Sequence, residues 1–170
     1  ILFTSNFGAL RFKKWMYEIG VTTRVTPVET MSLLYATRAH KPGEVACFGI
    51  KNQLPVAALP ANRTSEFINL IKPIFPQFIA AENVWTTSIN NLNPIVHPPM
   101  VLFNAGRIES TGGEGWNLYA DGATESVCKV MLAMDAERMA LLEPISSDGI
   151  PFKNAFENLY ANYSLEKKTL

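Results

Sequence analysis

The chain has 170 residues, 48% of them hydrophobic, and its fifteen acidic residues balance fifteen basic ones. That content is globular and not that of a disordered chain. Without a long run of like charge there is no electrostatic grip on nucleic acid or on an anionic membrane surface. No apolar stretch reaches the roughly 18 residues of a membrane span, so no membrane partner is expected. No secretory leader is recognisable, and the expected location is cytoplasmic, with Cys47 and Cys128 as two buried free thiols.

In chain order, Ile1–Ser5 reads as a short parallel strand running into Asn6 and Gly8. Leu10–Ile19 has helical spacing, and Gly20 suits its C-terminal cap. Val21–Val25, Ser32–Arg38, Glu44–Ile50 and Leu54–Leu59 are strand-like, with a turn at His40-Lys41-Pro42-Gly43. Asn62 caps a helix reaching about Ile74. Up to Ala80 the pattern is the second half of a nucleotide-binding sheet. Near Ala80–Trp85 it changes to long helices, which divides the chain into 1–82 and 83–170. Thr87–Glu109 reads as one helix kinked at its prolines, Trp116–Gly122 as a turn or hairpin, and Phe152–Tyr163 as a last helix. Between them Ala123–Leu142 is amphipathic, with Val127, Met131, Met134 and Leu141 or Leu142 inward and Glu125 and Lys129 outward. The expected fold class is α/β followed by all-α.

The run Asn91–Gly106 places His97 among three asparagines in an apolar stretch. Polar groups in apolar surroundings need hydrogen-bond partners. If the run is helical, Asn93, Met100 and Asn104 lie within about 40° of His97 and line a polar cleft. Asn93 suits an N-cap with Pro94 as first helical residue. Alternatively the helix starts at Pro98 or Pro99, with His97 at its mouth. An imidazole there is either a core hydrogen-bonder or a proton-transfer group working near neutrality. Asn93 is a cap or a substrate contact, and Asn104 a bridge between helices or a substrate contact. Glu29 and Thr30 fall at a strand end, where open α/β sheets bind ligands; the plainer reading of Glu29 is a solvated charge. Asp135, Glu137 and Arg138 read as a helix-surface charge cluster, and Arg38 as an ordinary sheet-surface cation. His40, Cys47 and Cys128 lack metal-ligand spacing with His97, so no metal site is expected. Gly112-Gly113-Glu114-Gly115 fails as a dinucleotide fingerprint because Leu118 stands where the third glycine belongs.

Asn91-Leu92-Asn93-Pro94-Ile95-Val96-His97-Pro98, followed by Leu102-Phe103-Asn104-Ala105-Gly106, resembles the segment that carries the catalytic histidine in the octopine/nopaline (opine) dehydrogenase family. Val28-Glu29-Thr30, Leu34-Tyr35-Ala36-Thr37-Arg38, Ile50-Lys51 and Ala57-Ala58-Leu59-Pro60-Ala61 resemble its upstream segments. Gly106-Arg107-Ile108-Glu109, Tyr119–Thr124 and Asp135-Ala136-Glu137-Arg138 keep its downstream order. Each motif is weak alone; their collinearity is what makes the match specific.

The resemblance implies an NAD- or NADP-dependent enzyme that reductively condenses an α-keto acid with the amino group of an amino acid. Residues 1–82 would be the C-terminal half of a Rossmann-like domain. Residues 83–170 would open a helical substrate or dimerisation domain of the 6-phosphogluconate-dehydrogenase C-terminal type, which leaves room for a homodimer through the helices. His97 becomes the general acid/base, Glu29 faces the amino donor, Thr30 lies near the keto-acid carboxylate, and Asn93 reaches substrate or nicotinamide, while Asn104 stays either a bridge between helices or a substrate contact. The family's glycine-rich fingerprint and its catalytic aspartate have no match here. The chain therefore reads as an internal piece, with the cofactor-binding residues unknown and the aspartate expected beyond Leu170. Two other readings stand beside this one: the substrate domain of another Rossmann hydroxy-acid reductase, and a non-catalytic dimerisation or interaction module.

Overall fold

The structure is a computed structural model describing residues 1–3, 6–21, 25–146 and 148–159. Its sheet is built around β1 (Val28–Thr30), β4 (Leu54–Ala58) and β5 (Phe78–Ala80), in the order β1-β4-β5. β4 runs antiparallel to β1, with Glu29 opposite Ala57, and parallel to β5, with Val56 opposite Ala80. Leu2 extends the other edge by a parallel bridge to Glu29. Between β1 and β4 the chain inserts a separate antiparallel hairpin, β2 (Tyr35–Lys41) and β3 (Glu44–Ile50), closed by Pro42-Gly43. Gly43 takes φ 81, a left-handed conformation that glycine adopts without steric penalty.

The alternation of side chains along β4 separates two cores. Leu54, Val56 and Ala58 point to a cluster with Val28, Met31, Leu34 and Phe78, covered by Phe67, Ile68 and Ile71 of α2 (Thr64–Ile71). Ala57 points the other way, to Ala9 of α1 (Gly8–Glu18) and Val84 of α3 (Val84–Ile89). The small Ala9 and Ala57 side chains let this first helix approach the sheet closely. Helices therefore flank both faces, as a sheet with a parallel pair requires.

The second body is helical. α4 (Asn93–Leu102), α5 (Ala105–Thr111), α6 (Glu125–Leu142) and α7 (Phe152–Leu159) follow α3. Ile95, Val96 and Met100 of α4 pack against Val127 and Met131 of α6 and Phe152 of α7. Side-chain caps mark the starts of α3 and α6: Asn83 Oδ1 accepts the N–H groups of Trp85 and Thr86 at 2.9 and 3.1 Å, and the Thr124 hydroxyl accepts Val127 N–H at 3.4 Å.

Several sequence expectations shift. Thr87–Glu109 is three helices, not one kinked helix, with corners at Asn90–Leu92 and Phe103–Asn104. Asn93 is the first helical residue, not the cap; Asn91 Oδ1 accepts its N–H at 3.1 Å. Pro98 and Pro99 lie inside α4 and do not begin it. Asn62 lies in a 3-10 turn before α2, which ends at Ile71. Of α6, Leu142 is buried and Leu141 exposed, while Glu125 and Lys129 pair on the surface at 2.6 Å. Asp135 and Arg138 are buried, so they are no surface cluster. Cys47 is exposed and Cys128 half-buried, both free. The strand expected at Val21–Val25 lies largely outside the described residues, as does the end of the helix expected to reach Tyr163.

Candidate functional site

A cleft of about 650 Å³ opens where the hairpin meets the helical body. Tyr35, Thr37, Arg38 and Phe48 of the hairpin form one wall. Met31, Ser32, Leu33 and Lys51 form its floor beside the sheet, and Asn90, Leu92, Asn93, Val96, His97 and Tyr119 form the helical wall. Asn93 and His97 are four residues apart on α4 and so share one face of it. The sequence-predicted amide and imidazole do line one cleft.

His97 Nε2 lies 2.9 Å from the Tyr119 hydroxyl, in a hydrogen bond that either group can donate. The two rings meet edge to face at 6.0 Å. The Arg38 guanidinium sits 5.8 Å from the centre of the Tyr119 ring, a cation–π distance. Burial, and then the charge of Arg38, hold His97 below the usual histidine value. The imidazole is therefore neutral near pH 7 and able to accept a proton.

Lys51 is the feature that sequence reasoning passed over. Its side chain is 4% exposed. Its ammonium donates to Ser32 Oγ at 2.8 Å and to the Leu33 carbonyl. Burial pushes its pKa down to about 8. Among the described residues no carboxylate lines the cleft. The signal for Lys51 was faint: a lysine immediately after an exposed strand looks solvated, and its burial follows from the fold of the insert over the sheet. Tyr119 belongs in the sequence to a turn and to a downstream motif, neither of which marks it as a site residue.

The other predicted residues sit elsewhere. Glu29 is fully buried and does not line the cleft. Its Oε2 accepts Ala9 N–H at 2.9 Å at the start of α1, and its Oε1 accepts the hydroxyls of Ser88 and, at 3.3 Å, Thr87. Burial raises its pKa, opposed by those hydrogen bonds. The carboxylate thus closes a helix N-terminus, whose dipole favours negative charge. Thr30 is buried as well, and its hydroxyl donates to the Ser32 carbonyl at 2.8 Å. Asn104 follows the end of α4, and its amide donates to Met100 O at 2.7 Å and Gly122 O at 3.1 Å. It ties α4 to the turn that carries Tyr119. Met100 is 1% exposed in the helical core and not on the cleft. Glu29, Thr30 and Asn104 leave the cleft because internal donors or acceptors claim their polar atoms.

The corner between α3 and α4 is held from below. Arg138 donates to Asp135 Oδ1 from Nε at 2.9 Å and from Nη2 at 2.6 Å, and from Nη1 to Asn90 Oδ1 at 3.0 Å. It also reaches the carbonyls of Ile89 and Ile150 at 3.2 and 2.6 Å. Asp135 Oδ2 accepts Phe152 N–H at 2.9 Å. One buried ion pair therefore joins α3, α6 and the start of α7 beneath Asn90.

Among the described residues no group of three or more His, Cys, Asp or Glu could hold a metal ion, and no helix is long and apolar enough to cross a membrane. Nor do they offer a dinucleotide pyrophosphate its cradle. The N-terminus of α1, the one that follows the Leu2 edge, already holds the Glu29 carboxylate. Gly112, Gly113 and Gly115 take positive φ where α5 ends, terminating a helix instead of opening one.

A mixed sheet carrying a helical body, with a histidine facing the cleft between them, is the mixed α/β architecture of the opine and 6-phosphogluconate-dehydrogenase-like dehydrogenases. The alpha-helical domain of the family described as NAD/NADP octopine/nopaline dehydrogenase matches residues 80–170, and the chain belongs to that family. It is 40% identical over 134 residues to an opine dehydrogenase of Arthrobacter sp. (strain 1C), covering 79% of this chain and 36% of that protein. Two solved structures share its fold. Apo yersinopine dehydrogenase superposes with a TM-score of 0.69 at 16% identity, over 84% of this chain and 36% of the other. The NADP+-bound form of that enzyme gives 0.66 at 17%, over 82% and 36%. The chain spans about a third of the length of these relatives.

Proposed function

We propose that the chain is part of an NAD(P)-dependent opine dehydrogenase, which joins an α-keto acid to the amino group of an amino acid by reductive condensation. The observation that carries this reading is His97, neutral and facing the cleft beside Asn93, with Tyr119 fixing its ring. Condensation needs a base to take a proton from the donor's ammonium, so that its nitrogen can attack the keto carbon. It then needs an acid to protonate the carbinolamine hydroxyl, which leaves as water and gives the imine. An imidazole held neutral takes up the proton in the first step and returns it in the second. Asn93 supplies an amide at the same surface for a substrate oxygen. Glu29, Thr30 and Asn104 act by holding the elements that shape the cleft. Reduction of the imine belongs to NAD or NADP, whose pyrophosphate the described residues do not hold.

In this reading residues 1–82 belong to the nucleotide-binding domain and 83–170 to the helical substrate domain, supported by the end of β5 at Ala80 and a helical-domain match that begins at residue 80. Keto acid and amino acid are its substrates, and the reaction is cytoplasmic. A homodimer through the helical region is supported by Val101, Leu102 and Phe103, all exposed where α4 ends. The test is oxidation of NADH or NADPH by the purified full-length protein, of which this chain is a part, with pyruvate and a panel of amino acids. Oxidation that needs both substrates and yields a secondary amine by mass spectrometry supports the reading. Oxidation with keto acid alone would assign a hydroxy-acid reductase instead.

A further inference from the structure

We propose that Lys51, assisted by Arg38, is the carboxylate-binding element of the cleft and holds a substrate carboxylate beside His97. The proposal rests on the reading above and deepens it, because both substrates of such a condensation carry a carboxylate. Among the described residues Arg38 and Lys51 are the cationic side chains that line the cleft, and none of those lining residues is an aspartate or glutamate. The charge these residues present is complementary to an anion.

The two cations are built differently. Arg38 lies on the exposed hairpin with its guanidinium over Tyr119. Lys51 is almost wholly buried, and the Ser32 hydroxyl and Leu33 carbonyl fix its ammonium at the floor. An anion arriving from the cleft meets these cations among the apolar side chains of Met31, Leu33, Leu92 and Val96, where a charge pair is weakly screened. Thr30, the residue first expected near a substrate carboxylate, turns its hydroxyl to the Ser32 carbonyl. That bond orients the loop whose Ser32 holds Lys51.

The experiment is calorimetric titration of the purified protein with pyruvate, methyl pyruvate, alanine and alanine methyl ester, repeated on Lys51→Met and Arg38→Gln. The expected result is that at least one acid binds about tenfold or more tighter than its ester, the scale of a charge-assisted hydrogen bond. Lys51→Met should abolish that preference and Arg38→Gln should weaken it. Whichever acid shows the effect identifies the carboxylate that is held. In turnover, the KM of that substrate should rise more than kcat falls. Equal binding of acids and esters, or an unchanged preference in Lys51→Met, overturns the proposal. If Lys51→Met does not fold by circular dichroism, Lys51→Arg and Arg38→Gln decide it: retention of the preference in the first and weakening in the second support it, and an unchanged preference in Arg38→Gln overturns it. The two readings fail separately. Carboxylate binding through Lys51 without condensation leaves this site and removes the opine activity; condensation with an unaltered KM in Lys51→Met does the reverse.

Discussion

His97 and Tyr119 are 22 residues apart and joined by a 2.9 Å hydrogen bond across the cleft wall. Tyr119 is brought there by the turn that Asn104 ties to α4, so the imidazole's orientation is set from the far end of its own helix. Replacing His97 by alanine should lower turnover by about 10²–10⁴-fold, the usual worth of a positioned acid/base group. Affinity for reduced cofactor should hardly change. A His97→Ala protein with wild-type turnover and only a lower melting temperature would make the imidazole structural.

Arg38 lowers the pKa of His97 through its charge, after burial has done so first. Because the folded value is depressed, the stability linked to this group is present above the ordinary histidine value and lost as pH falls through the depressed one. Arg38→Gln removes the repelling charge, so the acidic limb of the kcat–pH profile should move to higher pH. The shift should shrink in high salt, since Arg38 is exposed and its field is screened. A limb that stays in place would mean that Arg38 does not act on the titrating group.

Legibility in the sequence followed the range of the interactions. The hairpin turn, the helical span of α6 and the pairing of Asn93 with His97 are local patterns, and all three appear in the structure, although α6 buries Asp135 and Arg138 and exposes Leu132 and Leu141. Glu29 was placed in the cleft because its partners are distant: the hydroxyls of Thr87 and Ser88 come from 58 and 59 residues downstream. Nothing near Glu29 in sequence announces them. The same holds for Arg138, which reads as a surface cation until Asn90, 48 residues earlier, is seen to accept from it. Asn104 was put on the His97 face by extending one helical period through Phe103, where the helix stops. Lys51 needed the hairpin's placement over the sheet, which no local pattern encodes.

Glu29 should behave as a structural carboxyl. Its folded pKa is raised, so the stability it contributes is fully present below the ordinary carboxylate value and lost as pH rises through the raised one. Glu29→Gln resembles the protonated acid and lacks this titration. Its melting temperature relative to the wild type should therefore climb as pH increases across that window. Glu29→Ala leaves Ala9 N–H and two hydroxyls without their acceptor and should lose about 1–3 kcal/mol of stability. Thermal melts of both variants from acid to neutral pH provide the check, and a pH-independent difference for Glu29→Gln would contradict the assignment.

The corner that presents Leu92 and Asn93 to the cleft depends on Arg138. Arg138→Ala removes one half of a buried pair and strands the Asp135 carboxylate, which should cost about 3–5 kcal/mol. Arg138→Lys keeps the charge but loses the planar fork that spans Asp135, Asn90 and two carbonyls at once. Its fold should survive, because a cation still faces Asp135. Asn90, however, loses the guanidinium from its Oδ1 and keeps there the Ile150 N–H at 3.1 Å, and Asn90 lines the cleft. Arg138→Lys should then raise substrate KM severalfold at a modest loss of melting temperature, while Asp135→Asn, which leaves the bonds to Asn90 in place, should lower stability with a smaller effect on KM. Chemical denaturation and steady-state kinetics on the two variants separate these roles. Equal KM values in both would show that the buried pair supports the fold without positioning the cleft.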